Sequence, residues 1–350
     1  MKSLSAIAKE LGVSVAAVSY VYNNKWRENR IHPDLAERIR SKFKQEQVVP
    51  NRLGRQLQSG RTQTIGVLLP HLDQPYFLKL LAGIEHRLNE SDYMILLGSA
   101  HWQHQVRQVE LAKRMLARRI DALLMCPRPA EDLSEFVAST LRTGETPLVF
   151  VDNYLPEFPV SRVLSDNHWG ARQAVGEMLN QGRRKVVFLG GNSTVAALRD
   201  RYQGYCDALK DAGLRCLKSL TVWRDAGDEL ALESVRRLFS SDKRPDAIFA
   251  TSFFKFFPFL QVLDDLGLKH PNDVLLAGFD EPMESWVQDV VRSVIQKPLL
   301  VVQQDATEMG QAAVDLILMA INGTEIVNQK RLIQPVLSWQ QVKWDSGVML

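Results

Sequence analysis

The chain from residue 64 onward alternates short apolar runs with longer amphipathic stretches. Apolar runs of four to six residues are typical of strands buried on both faces of a parallel sheet. We predict strands at Ile65–Leu69, Met94–Gly98, Ala122–Met125, Leu148–Val151, Lys185–Leu189, Ala247–Ala250 and Val274–Phe279. Helical periodicity between them predicts helices at Tyr76–Asn89, Gln105–Arg118, Gly170–Gln181, Arg201–Ala212 and Ala231–Phe239. This alternation predicts an α/β fold of doubly wound parallel sheets, and the number of strands predicts two lobes.

The N-terminal residues follow a helical period without strands. Apolar positions on one helical face precede Gly12 and predict a short first helix; they are Leu4, Ile7, Ala8 and Leu11. Ser14 is suited to cap a second helix. That helix has an inward face at Ala17, Val18 and Val21, and an outward face at Val15, Ala16, Ser19 and Tyr20. A third helix is predicted from His32-Pro33, with a stripe at Leu35, Ile39 and Phe43. Together they predict a helix-turn-helix domain.

Charge is unevenly distributed between this N-terminal region and the remainder. Residues 1–62 contain 12 Lys or Arg and 5 Asp or Glu, a net of +7, whereas the whole chain carries only +3. A small basic module joined to a mildly acidic body predicts binding to a polyanion such as nucleic acid. A solvated basic tail is the alternative, although a tail would lack the helical periodicity described above.

Composition and motifs exclude several other classes. The chain is 45% hydrophobic and 24% charged, a balance typical of globular proteins. Neither a signal peptide nor a long apolar run is found, so a cytoplasmic location is expected. Cys126, Cys206 and Cys216 are too few and too scattered for a disulfide framework or a zinc site, and we predict buried thiols. No phosphate-binding loop, metal-ligand set or catalytic constellation is found, so we predict no cofactor, no metal and no enzymatic activity.

The string from Ile7 to Asn24, IAKELGVSVAAVSYVYNN, resembles the signature of the LacI/GalR family of transcriptional regulators. The resemblance implies that the second helix enters the major groove of DNA. It places Val15, Ala16 and Tyr20 at base-reading positions and makes phosphate-contact candidates of Ser5, Ser14, Ser19 and Asn23. The basic turn from Lys25 to Arg30 resembles the fructose- and sucrose-repressor branch and adds Lys25 and Arg30 as candidates. The alternative is that the base-reading side chains only pack.

The polar linker over residues 48–62 is similar to the hinge helix of that family. The resemblance implies that Leu57 wedges into the minor groove beside Arg55, with Asn51 as a further contact. Gly54 stands where alanine is more usual, and glycine costs about 1 kcal/mol in a helix interior. A plain tether is the alternative reading.

Markers of the family's two-lobed sensor run in order through the rest of the chain. They include Thr64–Pro70, Pro75–Phe77, Arg119–Ala122, Ser165–Asn167 and Gly278–Asp280. Ligands of open α/β sheets bind beyond the carboxyl ends of the strands. The resemblance therefore implies a cleft lined by Tyr76, Phe77, Asp152, Arg199, Arg201, Thr251, Ser252, Asp280 and Gln296. Capping roles for Asp152 and Asp280 and a surface pair of Arg199 with Asp200 remain open, and Thr251-Ser252 departs from the usual Asn-Asp.

The predicted organisation follows from these parts. A helix-turn-helix domain spans 1–47 and a hinge 48–62, while the first lobe spans 63–161 and 297–325 and the second 162–296 and 326–350. The resemblance implies a homodimeric repressor on a pseudo-palindromic operator, controlled by a sugar, sugar phosphate or related acid in the cleft. No leucine heptads follow Pro335, so no tetramerising coiled coil is expected. A small-molecule-binding or sugar-converting protein without DNA function is the alternative.

Overall fold

A computed structural model describes residues 3–22, 24–46, 61–70, 72–100, 106–224, 228–253, 257–280, 294–295 and 297–340. The chain separates into two compact units, Met1–Gly60 and Arg61–Leu350. The predicted hinge contacts Asn51, Arg55 and Leu57 lie outside the described residues, as do Asn23 and Gln296.

The described residues of the first unit form three helices, α1 Leu4–Leu11, α2 Val15–Tyr22 and α3 Pro33–Gln45. The Ser3 hydroxyl accepts a hydrogen bond from the Ala6 N–H at the start of α1. Gly12 ends this helix with φ of 68°, a backbone conformation that glycine adopts without steric cost. Ile7, Val18 and Ile39, one from each helix, are completely buried against one another in the small core. The predicted helix-turn-helix is confirmed.

The second unit contains two lobes, each built on a six-stranded sheet. Lobe 1 has strand order β11-β5-β4-β3-β1-β2 and lobe 2 has order β12-β10-β9-β8-β6-β7. The lobe 1 strands are β1 Thr64–Leu69, β2 Met94–Ser99, β3 Ala122–Met125, β4 Leu148–Val151, β5 Ser161–Ser165 and β11 Lys330–Ile333. The lobe 2 strands are β6 Val186–Leu189, β7 Thr221–Val222, β8 Ala247–Ala250, β9 Leu275–Phe279, β10 Leu299–Gln303 and β12 Val336–Gln340. Strands β10 and β12 pair antiparallel, and all other pairs are parallel.

Helices cover both faces of each sheet, so strands such as β3, β4, β6 and β8 are apolar along their whole length and completely buried. The lobe 1 helices are α4 Pro75–Leu88, α5 Val106–Leu116, α6 Leu133–Thr143 and α11 Ala306–Ile321. The lobe 2 helices are α7 Asn167–Asn180, α8 Ala196–Asp211, α9 Glu229–Phe239 and α10 Phe257–Asp265. The α/β prediction is confirmed, and each predicted strand and helix has a counterpart.

One close helix crossing in each lobe depends on glycine. A Cβ on Gly83 of α4 would lie 2.2 Å from the Thr307 carbonyl oxygen of α11, and a Cβ on Gly204 of α8 would lie 2.2 Å from the His168 carbonyl oxygen of α7. These distances are too short for any side chain, so the helices pack backbone against backbone.

The chain crosses between the lobes at three places, and the predicted lobe boundaries differ from them. The crossings follow β5, β10 and β11, because β10 pairs with β9 in lobe 2 and β11 pairs with β5 in lobe 1. The predicted return to the first lobe at residue 297 is therefore wrong, since it assigned β10 to lobe 1. The predicted second segment of lobe 2, from residue 326, is wrong for the same reason, since it assigned β11 to lobe 2. Both errors come from strands that were not predicted.

The cysteines also differ from the expectation of three thiols. Cys206 and Cys216 form a disulfide with Cα atoms 5.2 Å apart, and Cys126 is free and buried. The segment that leads from α8 to β7 turns back along the helix and brings Cys216 beside Cys206, although ten residues separate them. The prediction was wrong for this pair.

No single helix among the described residues is long and apolar enough to span a membrane. The pair α1 and α2 meets such a criterion jointly by length and composition, with a bend of 116° between them.

Candidate ligand-binding cleft and DNA-contacting helix

Two aspartates mark the carboxyl ends of equivalent strands in the two lobes. Asp152 follows β4 and Asp280 follows β9, and each backbone N–H donates to the next strand, to the carbonyls of Val163 and Val302, both at 3.0 Å. Their φ angles are 68° and 61°. Aspartate tolerates this left-handed conformation better than most residues, and a strained backbone of this kind is common at binding sites.

Lobe 1 satisfies its aspartate with its own side chains. The Tyr76 hydroxyl, from the first turn of α4, donates to Asp152 Oδ1 at 2.6 Å, and the Cys126 thiol donates to Oδ2 at 3.4 Å. Burial and then the negative charge of Asp152 raise the pKa of Tyr76 and of Cys126 well above their usual values. Both groups therefore stay protonated and act as donors to the carboxylate.

Lobe 2 surrounds its aspartate differently. Gln304, which follows β10, donates from Nε2 to Asp280 Oδ2 at 2.8 Å. The other carboxylate oxygen, Oδ1, is buried and accepts no hydrogen bond from the described residues. Burial raises the pKa of Asp280 to about 6, while Arg201 and Gln304 oppose the rise and the charge of Asp152 adds to it.

Arg201 is buried near both aspartates, and we call Tyr76, Asp152, Arg201 and Asp280 the polar cluster. Each of the three guanidinium nitrogen atoms donates to a protein acceptor. Nε donates to Asn167 Oδ1 at 2.7 Å, Nη2 donates to Gln304 Oε1 at 3.0 Å, and Nη1 donates to the Thr251 carbonyl. The guanidinium carbon lies 3.6 Å from the ring centre of Phe279. Burial lowers the pKa of Arg201, and the carboxylates of Asp280 and Asp152 oppose that shift.

The structure brings together Tyr76, Asp152, Arg201, Thr251 and Asp280 from the predicted ligand contacts. Thr251 takes part through its backbone, because its side-chain hydroxyl donates to the Gly190 carbonyl at 3.0 Å. Ser252 is half-buried at the same strand end.

Two predicted contacts lie elsewhere. Phe77 is 3% exposed and packs in the core of lobe 1, because the first turn of α4 directs it towards the sheet. Arg199 is exposed and donates to the carbonyls of Ser193 and Thr194 at the start of its own helix. Neither belongs to the cluster.

Three members of the surrounding network were not predicted, namely Asn167, Gln304 and Asn153. Gln304 directly follows the buried strand β10, as Asp152 and Asp280 follow β4 and β9, so predicting β10 would have drawn attention to it. Asn167 stands in the predicted Ser-Asp-Asn marker but was not assigned a contact. Asn153 directly follows Asp152, and no sequence signal distinguishes it.

The outward face of α2 is the second candidate site. Val15 is 51% exposed and Tyr20 is 38% exposed, and Ala16 beside them is also exposed. Ala16 and Tyr20 are four positions apart and share a helical face, and Val15 lies beside Ala16 at the start of the helix, so the three exposed side chains lie on the outward side of α2. The Ser14 hydroxyl accepts a hydrogen bond from the Ala17 N–H at 3.1 Å and caps the helix, as predicted.

The remaining predicted DNA contacts lie around this helix. Ser5 is exposed, with its hydroxyl 2.7 Å from that of Ser3, and Ser19 is half-buried. Lys25 and Arg30 are exposed at the two ends of the turn that follows α2. Trp26 lies within that turn, and the guanidinium carbons of Arg27 and Arg40 lie 5.0 and 5.4 Å from its ring centre.

Together, the two lobes with a polar cluster at equivalent strand ends define a two-lobed small-molecule-binding protein. The chain belongs to the family of periplasmic binding proteins and sugar binding domain of LacI family, whose profile matches residues 62–341. A relative, the ribose operon repressor of Escherichia coli (strain K12), is 25% identical over 339 residues, which are 96% of this chain and 98% of the relative.

Solved structures show the same fold. The Lac repressor dimer bound to operator and the anti-inducer ONPF has a TM-score of 0.80 at 18% identity and covers 98% of this chain and 99% of its own. The complex of the transcriptional regulator CelR with cellobiose has a TM-score of 0.68 at 23% identity and covers 98% of this chain and 100% of its own.

Proposed function

We propose that the protein is a sequence-specific transcriptional repressor, a homodimer that binds a pseudo-palindromic operator and is controlled by a small polar ligand in the cleft. The observation that carries the proposal is the exposed face of α2 in a helix-turn-helix unit on the same chain as a two-lobed sensor. A relative of nearly equal length is named a ribose operon repressor. We propose no enzymatic activity, because the proposed function consists of binding operator DNA and a small ligand.

The unusual composition of the α2 face shapes the proposed DNA recognition. Val15 and Ala16 offer methyl groups that fit thymine methyls, and Tyr20 offers one hydroxyl for a base edge. Phosphate contacts come from Ser5, Ser14, Ser19, Asn23, Lys25 and Arg30, and hinge contacts from Asn51, Arg55 and Leu57. We also propose that the protein belongs to the fructose- and sucrose-repressor branch. This assignment rests on the longer basic turn from Lys25 to Arg30, which contains Trp26.

The cluster also supports a class of ligand. Its described members carry two carboxylates and one guanidinium, and each nitrogen of that guanidinium already donates to the protein. A phosphate or carboxylate ligand would meet net negative charge and at most two unused N–H groups. Asp280 Oδ1, by contrast, is a buried acceptor to which no described residue donates. We therefore propose a neutral polyhydroxy ligand, a sugar, that donates hydroxyl hydrogens to Asp280.

Selection from a random duplex library tests DNA recognition. The purified protein should enrich one palindromic motif, and the motif should persist at a second, higher salt concentration, because phosphate contacts alone weaken with salt for all sequences alike. Leu57→Ala should weaken binding to that motif while leaving the dimer intact. If binding is unselective and is lost uniformly with salt, both with and without added sugars, the repressor assignment fails.

Thermal stabilisation by added compounds tests the ligand class. We expect D-ribose, D-glucose or cellobiose to raise the melting temperature and D-ribose 5-phosphate to have no effect, because linkage stabilises only the state that binds. Asp280→Ala should abolish the response without reducing operator binding by the ligand-free protein. A response to the phosphate with none to neutral sugars would contradict the assignment.

A further inference from the structure

Helix α8 receives its N-terminal cap from the other lobe. The first N–H groups of a helix have no partner within the helix and need one outside it. Val195 precedes α8 and provides no side-chain cap. The Ala197 N–H donates instead to Asn153 Oδ1, 3.1 Å away, and Asn153 belongs to lobe 1. A side chain of one lobe therefore satisfies the backbone of the other.

Lobe 1 holds Asn153 in the orientation that this contact needs. Its side-chain Nδ2 donates to the Pro127 carbonyl at 2.6 Å, and its backbone N–H donates to the Val151 carbonyl at 2.8 Å. The residue is 1% exposed. Because the amide nitrogen is fixed on lobe 1, the amide oxygen points at α8.

The next residue makes a second contact between the lobes. The Tyr154 hydroxyl lies 3.3 Å from Asp200 Oδ2 and donates to that carboxylate. Arg162, on β5 of lobe 1, places its guanidinium carbon 5.2 Å from the Tyr154 ring centre, and this cation–π contact stabilises the position of the ring. Burial raises the pKa of Asp200, and the hydrogen bond from Tyr154 counteracts part of that rise.

Both contacts adjoin the ligand cluster along the chain. Asp152 immediately precedes Asn153, and Arg201 immediately follows Asp200. Three consecutive residues of lobe 1 therefore lie opposite α8. Asp152 lies on the side of the cleft, whereas Asn153 and Tyr154 contact α8 directly. Separation of the lobes would break both hydrogen bonds and also move Asp152 away from Arg201.

We propose that Asn153 and Tyr154 form a latch between the lobes, which stabilises the closed arrangement of the cleft. They are positioning residues that act on the ligand through lobe closure. The effect on lobe closure is independent of DNA and ligand, whereas the effect on ligand affinity rests on the proposed function.

Amide hydrogen exchange of Ala197 in the ligand-free full-length protein tests the latch. Asn153→Leu removes the acceptor itself and should speed this exchange. The decisive variant is Tyr154→Phe, which leaves the Ala197 hydrogen bond untouched. If the two contacts act together on opening, losing the tyrosine hydroxyl should speed exchange at Ala197 about fivefold. If exchange at Ala197 is unchanged in Tyr154→Phe, the proposal is overturned. Asn153 would then only cap the N-terminus of α8.

Two variants with equivalent losses inside one lobe serve as controls. Gln108 is 3% exposed, and its side-chain amide also bonds a backbone carbonyl and a backbone N–H, both of Arg128 in lobe 1. Tyr205 donates its hydroxyl to the Val186 carbonyl within lobe 2. Gln108→Leu and Tyr205→Phe should leave Ala197 exchange within twofold of the wild-type rate. Comparable acceleration by these controls would indicate general loosening and overturn the latch.

Affinity for a neutral sugar that stabilises the wild-type protein gives the functional consequence. Asn153→Leu should weaken that affinity about fivefold, whereas Gln108→Leu should leave it within twofold. Equal affinities in the two variants would overturn a role of the latch in binding. If no sugar binds the wild-type protein, the ligand proposal fails, and the exchange measurement still decides the latch.

Discussion

Asp152 and Asp280 occupy the same position in their lobes but differ in their bonding. Each follows the fourth strand from the same edge of its sheet, in orders β2-β1-β3-β4 and β7-β6-β8-β9, and each has a left-handed backbone. Asp152 accepts hydrogen bonds at both oxygens from its own lobe, whereas Asp280 accepts from Gln304 and, among the described residues, has no donor to its buried Oδ1.

This difference supports the proposal that Asp280 binds the ligand and that Asp152 has a structural role. A buried charge without full hydrogen bonding destabilises the protein, and such a group is retained where a partner completes it. Tyr76 and Cys126 already complete Asp152. The buried Oδ1 of Asp280, to which no described residue donates, lowers the stability of the ligand-free protein. A ligand hydroxyl that donates to this oxygen would remove the destabilising effect.

The largest effect is expected at Arg201, whose positive charge opposes the raised pKa of Asp280. Arg201→Met should destabilise the protein by about 3 kcal/mol, because removing one partner leaves a buried charge uncompensated. Urea unfolding measures this change. Arg199→Met, two residues earlier on the exposed side of α8, is the control and should stay within about 0.5 kcal/mol of wild type. Equal small losses in both variants would show that the guanidinium does not hold the cluster.

A smaller effect is expected from the donor of lobe 1. Tyr76→Phe should cost about 2 kcal/mol, since its hydroxyl bonds a charged acceptor. Tyr205→Phe removes a hydroxyl that bonds a neutral carbonyl and should cost about 1 kcal/mol. If Tyr76→Phe were neutral, Asp152 would not depend on its lobe 1 donors, and the contrast between the two aspartates would be lost.

The smallest effect is expected at Thr251, which directly follows β8 and whose carbonyl accepts from Arg201. Thr251→Val removes the hydroxyl bond to the Gly190 carbonyl and should cost about 1 kcal/mol, while the backbone carbonyl that holds Arg201 remains. Thr221→Val removes an exposed hydroxyl bond to the Leu217 carbonyl and should change stability little. A large loss of ligand response in Thr251→Val would instead indicate a direct side-chain contact with the ligand.

Local patterns in the sequence predicted much of the fold. Most predicted strands in the second unit are continuous and apolar because they are covered on both faces, whereas β2 is an apolar edge strand with exposed positions. Strand β10 was missed although it is apolar and buried like the predicted strands, whereas the other missed strands differ physically. Strand β5 contains Arg162, β7 has two residues, and β11 and β12 are sheet edges with exposed positions. Their pairing depends on contacts distant in sequence, which a local pattern does not contain.

The candidate site was predictable in its members more than in their roles. The family resemblance identified Asp152, Asp280 and Arg201, while the positions of the two aspartates at strand ends left a capping role open. The resemblance implied that Arg201 and Asp152 both contact a ligand. In the structure, Arg201 already donates to three protein acceptors and Asp152 already accepts from two protein donors. Such saturation depends on side chains from separate elements, such as Asn167 and Gln304, and no spacing in the sequence encodes it.

The free energy of unfolding of the wild-type protein and of Asp280→Asn, measured from pH 5 to pH 8, tests the cost at Asp280 most directly. The pKa of Asp280 in the folded protein, about 6, lies above the value of about 3.9 expected in the unfolded chain. The folded protein therefore binds this proton more tightly, so the ionised carboxylate destabilises the fold above pH 6 and the penalty disappears as the pH falls towards 4. We predict that Asp280→Asn is about 2 kcal/mol more stable than wild type at pH 8, with the difference shrinking towards pH 5. A variant that is less stable than wild type at pH 8 would show that Asp280 is a structural carboxylate like Asp152.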